Sequence, residues 1–247
     1  MRENAPARAP LYLTGDHPCS YLPGRTARTL FLDPRTPMNG ALYGHLLGLG
    51  FRRSGAHVYR PACTVCRACV PVRLPVQDFA PNRAQRRNWE RNRAGLTVQE
   101  CPPVFDPAHY ALYQAYLLDR HADSNMADTT PESYHDFLLG PWGGETRLLE
   151  LRIDDRLAAV AVTDRVGDAL SAVYTFFDPA LAGRALGTTA VLCQIRAARE
   201  QGLTWLYLGY WIEECRKMSY KDRFRPLEAW IQGSWRRFGR GEQIDWR

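Results

Sequence analysis

The stretch that most constrains this chain is residues 146–177, where three apolar runs of strand length follow one another with almost no chain between them. Residues 146–152, 157–163 and 170–177 are rich in Leu, Val, Ala and aromatic side chains. Polar turns separate them at Asp154-Asp155 and across residues 165–168. Connections this short reverse the chain, so the runs are expected to pair as an antiparallel meander. A loop over residues 178–186 follows, then a helix from Gly187 to about Gln201. Gly202 stops that helix, and a last buried strand spans residues 205–211. Upstream, Asp106-Pro107 is a helix cap with proline in the first turn, and Tyr110, Tyr113, Leu117 and His121 mark one face of the helix it starts. Thr130-Pro131-Glu132 starts another by the same signal.

This order predicts an α+β fold and resembles the acyltransferase fold of the GNAT superfamily, a mixed, mostly antiparallel sheet with helices. There the loop before the helix reads Gln/Arg-x-x-Gly-x-Gly/Ala. Here Arg184, Gly187 and Thr189 stand at the defining places, the last a departure. A glycine at a helix start lets backbone N–H groups face a phosphate, and the helix dipole adds partial positive charge. Arg184, Gly187 and Thr188 are therefore candidates for holding an anionic donor. Taken alone, the same residues more often read as a helix cap; only the strand–loop–helix–strand setting brings the two readings level.

Charge divides the chain. Residues 1–105 carry fifteen arginines, no lysine and six acidic residues, a net +9, whereas residues 106–247 carry a net −3. Cys101-Pro102-Pro103 sits at this shift. It is the expected boundary between a small basic, cysteine-bearing domain (1–105) and a GNAT-like catalytic domain (106–247). Arginine outnumbers lysine thirty to two, which a GC-rich genome explains, but the asymmetry between halves points to a polyanionic partner. No apolar run is long enough to span a bilayer, and the N-terminus lacks the apolar core of a secretory signal. A cytoplasmic protein with no membrane partner is the expectation, its seven cysteines present as thiols or metal ligands.

Two motifs carry chemistry in the basic half. Cys63-x2-Cys66-x2-Cys69 has the spacing of three corners of an iron–sulfur cluster, or of part of a zinc site, with Cys19 the candidate fourth ligand. A set of free thiols is the alternative, and Cys101, Cys193 and Cys215 read as structural. The second motif is the helix expected after Asn82, which forms a capping box with Gln85. Arg83, Arg86, Arg87, Arg91 and Arg93 crowd eleven residues against one Glu. Like charges at helical spacing repel, and a phosphate backbone neutralises them, so this helix is expected to contact RNA. No Ser–His–Asp or Cys–His arrangement is legible.

Several blocks, taken together, resemble the arginyl-tRNA–protein transferase family in its compact bacterial branch. They are Cys19-Ser20-Tyr21-Leu22-Pro23-Gly24, Tyr59-Arg60-Pro61-Ala62-Cys63 through Val70, Pro81 through Arg87, Arg120-His121-Ala122-Asp123 through Asp128, Tyr174 through Pro179, Leu186-Gly187-Thr188, and Tyr207 through Pro226. The resemblance implies a transferase that takes leucine from charged tRNA to an N-terminal Asp or Glu, as the compact members do; the longer members add arginine. An aminoacyl ester is already activated, so the protein mainly aligns amine and ester and moves protons, without a required cofactor. Candidates for that work are Tyr207, Tyr210, Tyr220 and Asp178. Candidates for reading the acidic acceptor are Lys217, Lys221, Arg223, Arg225, Arg120 and His121, with Lys221 first. An acyl-CoA N-acyltransferase, or a non-catalytic RNA-binding metalloprotein, is the rival reading.

Overall fold

A computed structural model describes residues 9–120 and 129–246. In the first half lie β1 (Leu11–Leu13), β2 (His17–Pro18), β3 (Thr26–Ala27), β4 (Thr29–Leu32), α1 (Gly40–Gly48), β5 (Arg52–Ser54), β6 (His57–Pro61), β7 (Val70–Pro75), α2 (Arg83–Arg93) and β8 (Leu96–Cys101). The second half holds α3 (Pro107–Arg120), α4 (Pro131–Tyr134, running into a π-turn His135–Leu139), β9 (Glu145–Ile153), β10 (Arg156–Val166), β11 (Ala169–Phe177), α5 (Leu186–Glu200) and β12 (Trp205–Trp211). It closes with α6 (Arg216–Ser219), a 3-10 turn (Tyr220–Arg223), β13 (Leu227–Ile231) and β14 (Ser234–Phe238).

β9, β10 and β11 form the expected meander. Asp154 and Asp155 both adopt positive φ, 48° and 62°, which matches the right-handed twist of the strands they join. The second turn is tighter than expected: β10 and β11 pair out to Val166 and Ala169, leaving Gly167-Asp168 as the whole connection. Along β10, side chains alternate between the two faces of the sheet. Val160 and Val162 pack with Tyr113 and Leu117 of α3, whereas Ala159 and Ala161 lie with Leu186, Ala190 and Cys193 of α5. Both faces are covered, which is why this run reads as nearly continuous apolar sequence. The small alanines allow α5 to approach closely.

The main sheet has eight strands in the order β14-β13-β7-β12-β11-β10-β9-β8, antiparallel throughout except for the β11–β12 pair. The fold is thus mixed α+β around a mostly antiparallel sheet. A smaller sheet, β1-β4-β6-β5, stands beside it. β7 and β8 precede residue 105 yet belong to the main sheet, and Cys101-Pro102-Pro103 leads from β8 to α3. The charge shift there marks a change of surface across an exposed connection, while sheet pairing runs on through it. Among the described residues, no helix is long and apolar enough to cross a membrane.

Candidate active site

β11 and β12 pair only over Ala169–Ser171 and Trp205–Tyr207. Each then carries one extra residue against its other neighbour, Val173 against β10 and Leu208 against β7. Two bulges at one level bend both strands and sharpen their twist, so they diverge into a split. Gly209, at φ +83°, lies on its β12 side. Arg52 of β5 enters here: its Nη2 donates to the Ala172 carbonyl at 2.6 Å, and the guanidinium lies against Gly209. Its neighbour Arg53 points the other way and closes a buried pair with Asp164 at 2.5 and 2.6 Å, shared with Thr146.

Lys221, the leading sequence candidate for the acceptor carboxylate, is buried, and its Nζ donates to the Tyr210 carbonyl at 2.6 Å and contacts Met218 Sδ. Burial, then the nearby Arg52 charge, push its pKa down to about 7. Lys217, four residues away, is exposed, and its Nζ donates to the Arg120 carbonyl at 2.9 Å. The two lysines therefore do not share one solvated face. Arg120 stacks over Phe177 and pairs with Asp119. Arg225 is tied to the carbonyls of Asp222 and Gly239, and Arg223 lends its own carbonyl to α2 while its side chain is exposed. His121 lies outside the described residues.

The four candidates for proton transfer separate. The Tyr210 hydroxyl donates to the carbonyls of Gly50 and Tyr59, and burial holds its pKa well above the ordinary value. Tyr207, at the paired end of the strands, accepts from Arg73, which is paired with Glu228 and sandwiched by Trp205 and Trp235. Both hydroxyls hold the fold. Tyr220 follows β12 near Tyr116 of α3, with burial pushing its pKa up to about 12. Asp178 ends β11 and caps the turn after it by accepting from the Ala180 N–H.

α2 begins with the expected capping box and lies antiparallel along α5. Its inner face is polar. Asn88 and Asn92 donate to the Arg184 carbonyl at 2.8 and 2.9 Å; the buried Thr189 hydroxyl donates to Asn88 and accepts from Asn92. Thr189, the departure from the acyltransferase pattern, thus has partners on α2. Arg91 reaches the Gly183 carbonyl, and Ala185 is held in the left-handed conformation at φ 51°. The structure brings the arginine helix and the Arg184–Gly187–Thr188 segment together. Arg83, Arg86, Arg87, Arg91 and Arg93 are all exposed. Beside them, Phe79, Trp89, Leu192 and Ile195 floor an open groove of about 880 Å³.

Cys19, Cys63, Cys66 and Cys69 share one neighbourhood, and Cys215, read from sequence as structural, joins them. Burial and these surrounding sulfurs push the Cys69 thiol up to about 12. Among the described residues no three Cys, His, Asp or Glu side chains are arranged to hold one metal ion. The sulfurs thus come into one neighbourhood without forming a set of metal ligands among the described residues. Cys193, on α5, packs in the core, as expected.

Arg52, Asn88 and Asn92 were not singled out from the sequence, and Cys215 was read only as structural. Adjacent arginines at 52 and 53 within a short strand were the available signal, since alternation sends neighbours to opposite faces and here both are buried.

Residues 17–87 match the family model for the N terminus of arginine-tRNA-protein transferase, and residues 108–231 the model for its C terminus. The chain is 50% identical over 224 residues to the aspartate/glutamate leucyltransferase of Hahella chejuensis (strain KCTC 2396), covering 91% of this chain and 95% of that protein. It is 50% identical over 228 residues to the protein of that name from Thiobacillus denitrificans (strain ATCC 25259 / T1), covering 92% and 94%. The chain therefore belongs to the arginine-tRNA-protein transferase family.

Proposed function

We propose that this chain moves leucine from leucyl-tRNA to the α-amine of proteins that begin with Asp or Glu. The observation that carries the reading is the join between α2 and residues 183–189, which sets the end of α2 with Arg91 and Arg93 beside the start of α5, the exposed Arg83, Arg86 and Arg87 running back along α5. A phosphate backbone along α2 gains from both the arginines and the N-terminal end of α5. Leucine, as the residue transferred, follows from the names of the relatives.

The chemistry asks little of the protein. The acceptor amine, with an ordinary pKa near roughly 7.7–8.0, is partly neutral at neutral pH. Its nitrogen attacks the ester carbonyl, the bond to the ribose oxygen breaks, and the amine proton ends on that oxygen. Alignment in the split between β11 and β12 supplies most of the acceleration. Tyr220 and Asp178 are the groups best supported for moving the proton, because Tyr210 spends its proton on backbone carbonyls and Tyr207, at the paired end of the strands, is held by Arg73. Arg120, Lys217 and Arg223 add positive charge around the acceptor. Lys221 and Arg225 act by holding backbone carbonyls. No step runs through the cysteines.

The test is transfer of labelled leucine, and separately arginine, from charged tRNA to peptides beginning with Asp, Glu, Asn or Lys, with labelled acetyl-CoA in parallel. Leucine is expected on Asp and Glu in strong preference to Asn and Lys, with transfer to the Asn peptide slow. Arginine transfer, or acetylation, replaces the reading with the corresponding alternative.

A further inference from the structure

Arg52 and Arg53 are consecutive, both buried, and electrostatically opposite in situation. Arg53 is fully enclosed with Asp164, a two-pronged pair that neutralises it. Arg52 has no carboxylate partner among the described residues. It is 7% exposed, spends Nη2 on the Ala172 carbonyl, and leaves Nη1 buried without a partner among the described residues. The nearby buried cation, Lys221, is likewise satisfied by a backbone carbonyl and a thioether rather than by an acid. Arg52 thus stands at the split between β11 and β12 with a basic group beside it and, among the described residues, no acid paired to either. Such an arrangement is costly in an isolated protein, because desolvation of a charge is offset only by an opposite charge or a full set of hydrogen bonds.

We propose that Arg52 is the residue that reads the acceptor's acidic side chain, its Nη1 donating to the carboxylate in the split while Nη2 stays on the Ala172 carbonyl. The proposal rests on the transferase reading above and names the determinant of its acceptor specificity. The geometry favours arginine for this task. A planar guanidinium serves a carbonyl and a carboxylate at once from a fixed fork, which a lysine ammonium does not reproduce. The two bulges end the pairing of β11 with β12 beside Arg52, and Gly209 lets the guanidinium lie against the backbone. An Asn side chain has the shape but not the charge, so it leaves the cation uncompensated. The same positive charge opposes protonation of the neighbouring α-amine and so preserves the nucleophile.

The test compares leucine transfer to Asp- and Asn-starting peptides by the wild type, Arg52→Gln and Arg52→Lys, with KM measured separately for peptide and for leucyl-tRNA. Loss of a charge-assisted hydrogen bond is expected to raise KM for the Asp peptide roughly ten- to a hundredfold in Arg52→Gln. The slow transfer to the Asn peptide and the KM for leucyl-tRNA are expected to change little. Arg52→Lys is expected to fall between the two, since it keeps the charge and loses the fork. Equal losses on both peptides, a rise in the leucyl-tRNA KM of the same size, or retained Asp selectivity overturns the proposal. Failure of both variants to fold assigns Arg52 to the fold and overturns it as well. Wild-type protein that moves no leucine to the Asp peptide refutes the transferase reading itself, a result distinct from all of these.

Discussion

Replacing Arg83, Arg86 and Arg87 together by Ala should weaken tRNA binding through its salt dependence and leave the fold intact. All three are exposed on α2; Arg83 and Arg87 make no hydrogen bond or ion pair among the described residues, and Arg86 makes one, to the Pro81 carbonyl. Three phosphate contacts are therefore available. Each releases counterion worth about 0.7–0.9 in the slope of log K against log salt, so the triple variant should flatten that slope by about 2–3. Between 50 and 200 mM salt, that removes about 20- to 40-fold of the affinity change seen in the wild type. Alanine is the best helix former, and the substitutions relieve like-charge repulsion. The residues that dock α2, Gln85, Asn88 and Asn92, are untouched, so the thermal midpoint should not fall. The assay is filter binding or fluorescence anisotropy with leucyl-tRNA over a salt series. An unchanged slope refutes the assignment, and a slope change accompanied by unfolding refutes the claim that these arginines act only on the ligand.

Arg53→Met should destabilise the protein by about 3–5 kcal/mol in urea unfolding, because it strands a fully buried Asp164. Arg53→Met with Asp164→Leu should recover much of that loss. Asn92→Ala removes bonds to the Arg184 carbonyl and to the Thr189 hydroxyl; it should cost about 1–3 kcal/mol by the same measurement, since it leaves buried partners unpaired. Hydrogen bonds from the Arg35 side chain and backbone N–H, and from Tyr12, hold Asp33 at about 2. Its stabilising contribution is complete above the unfolded value near roughly 3.9 and lost as pH falls through about 2. Asp33→Asn should accordingly be less stable than the wild type at neutral pH and approach it near the acid limit, as followed by thermal unfolding over a pH series.

The second half of the chain was legible because its elements are long and each obeys one period. β9, β10, β11, α5 and β12 carry apolar patterns bounded by Gly or paired Asp, and the helix starts at Pro107 and Pro131 carry their own caps. The arginine helix was legible from one capping box and a charge run. Much less could be read before residue 70, where strands of two to five residues carry too few side chains for a period to register. The site was harder still. Arg52 acts through a split made by two bulges, and a bulge depends on pairing with a strand distant in sequence. Lys221 looked like a solvated partner to Lys217, yet the chain passes from α6 into a 3-10 turn between them, so one faces inward and the other outward. The cysteine spacing showed that Cys63, Cys66 and Cys69 could come together, but not that Cys215, from beyond β12, enters the same neighbourhood, because that depends on tertiary packing.

β7 is made early and paired late. It lies between β12 and β13, strands that begin at residues 205 and 227, so neither edge of β7 finds its partner until most of the chain exists. Until then Val70, Val72 and Leu74 offer an apolar strand with two open edges, the kind of segment that pairs with other chains. Fragments that stop between β8 and β12 should therefore aggregate rather than fold, however well the basic region looks like an independent unit. Cutting the chain near residue 105 separates β7 from both neighbours, so the two pieces are expected to yield soluble protein only when produced together.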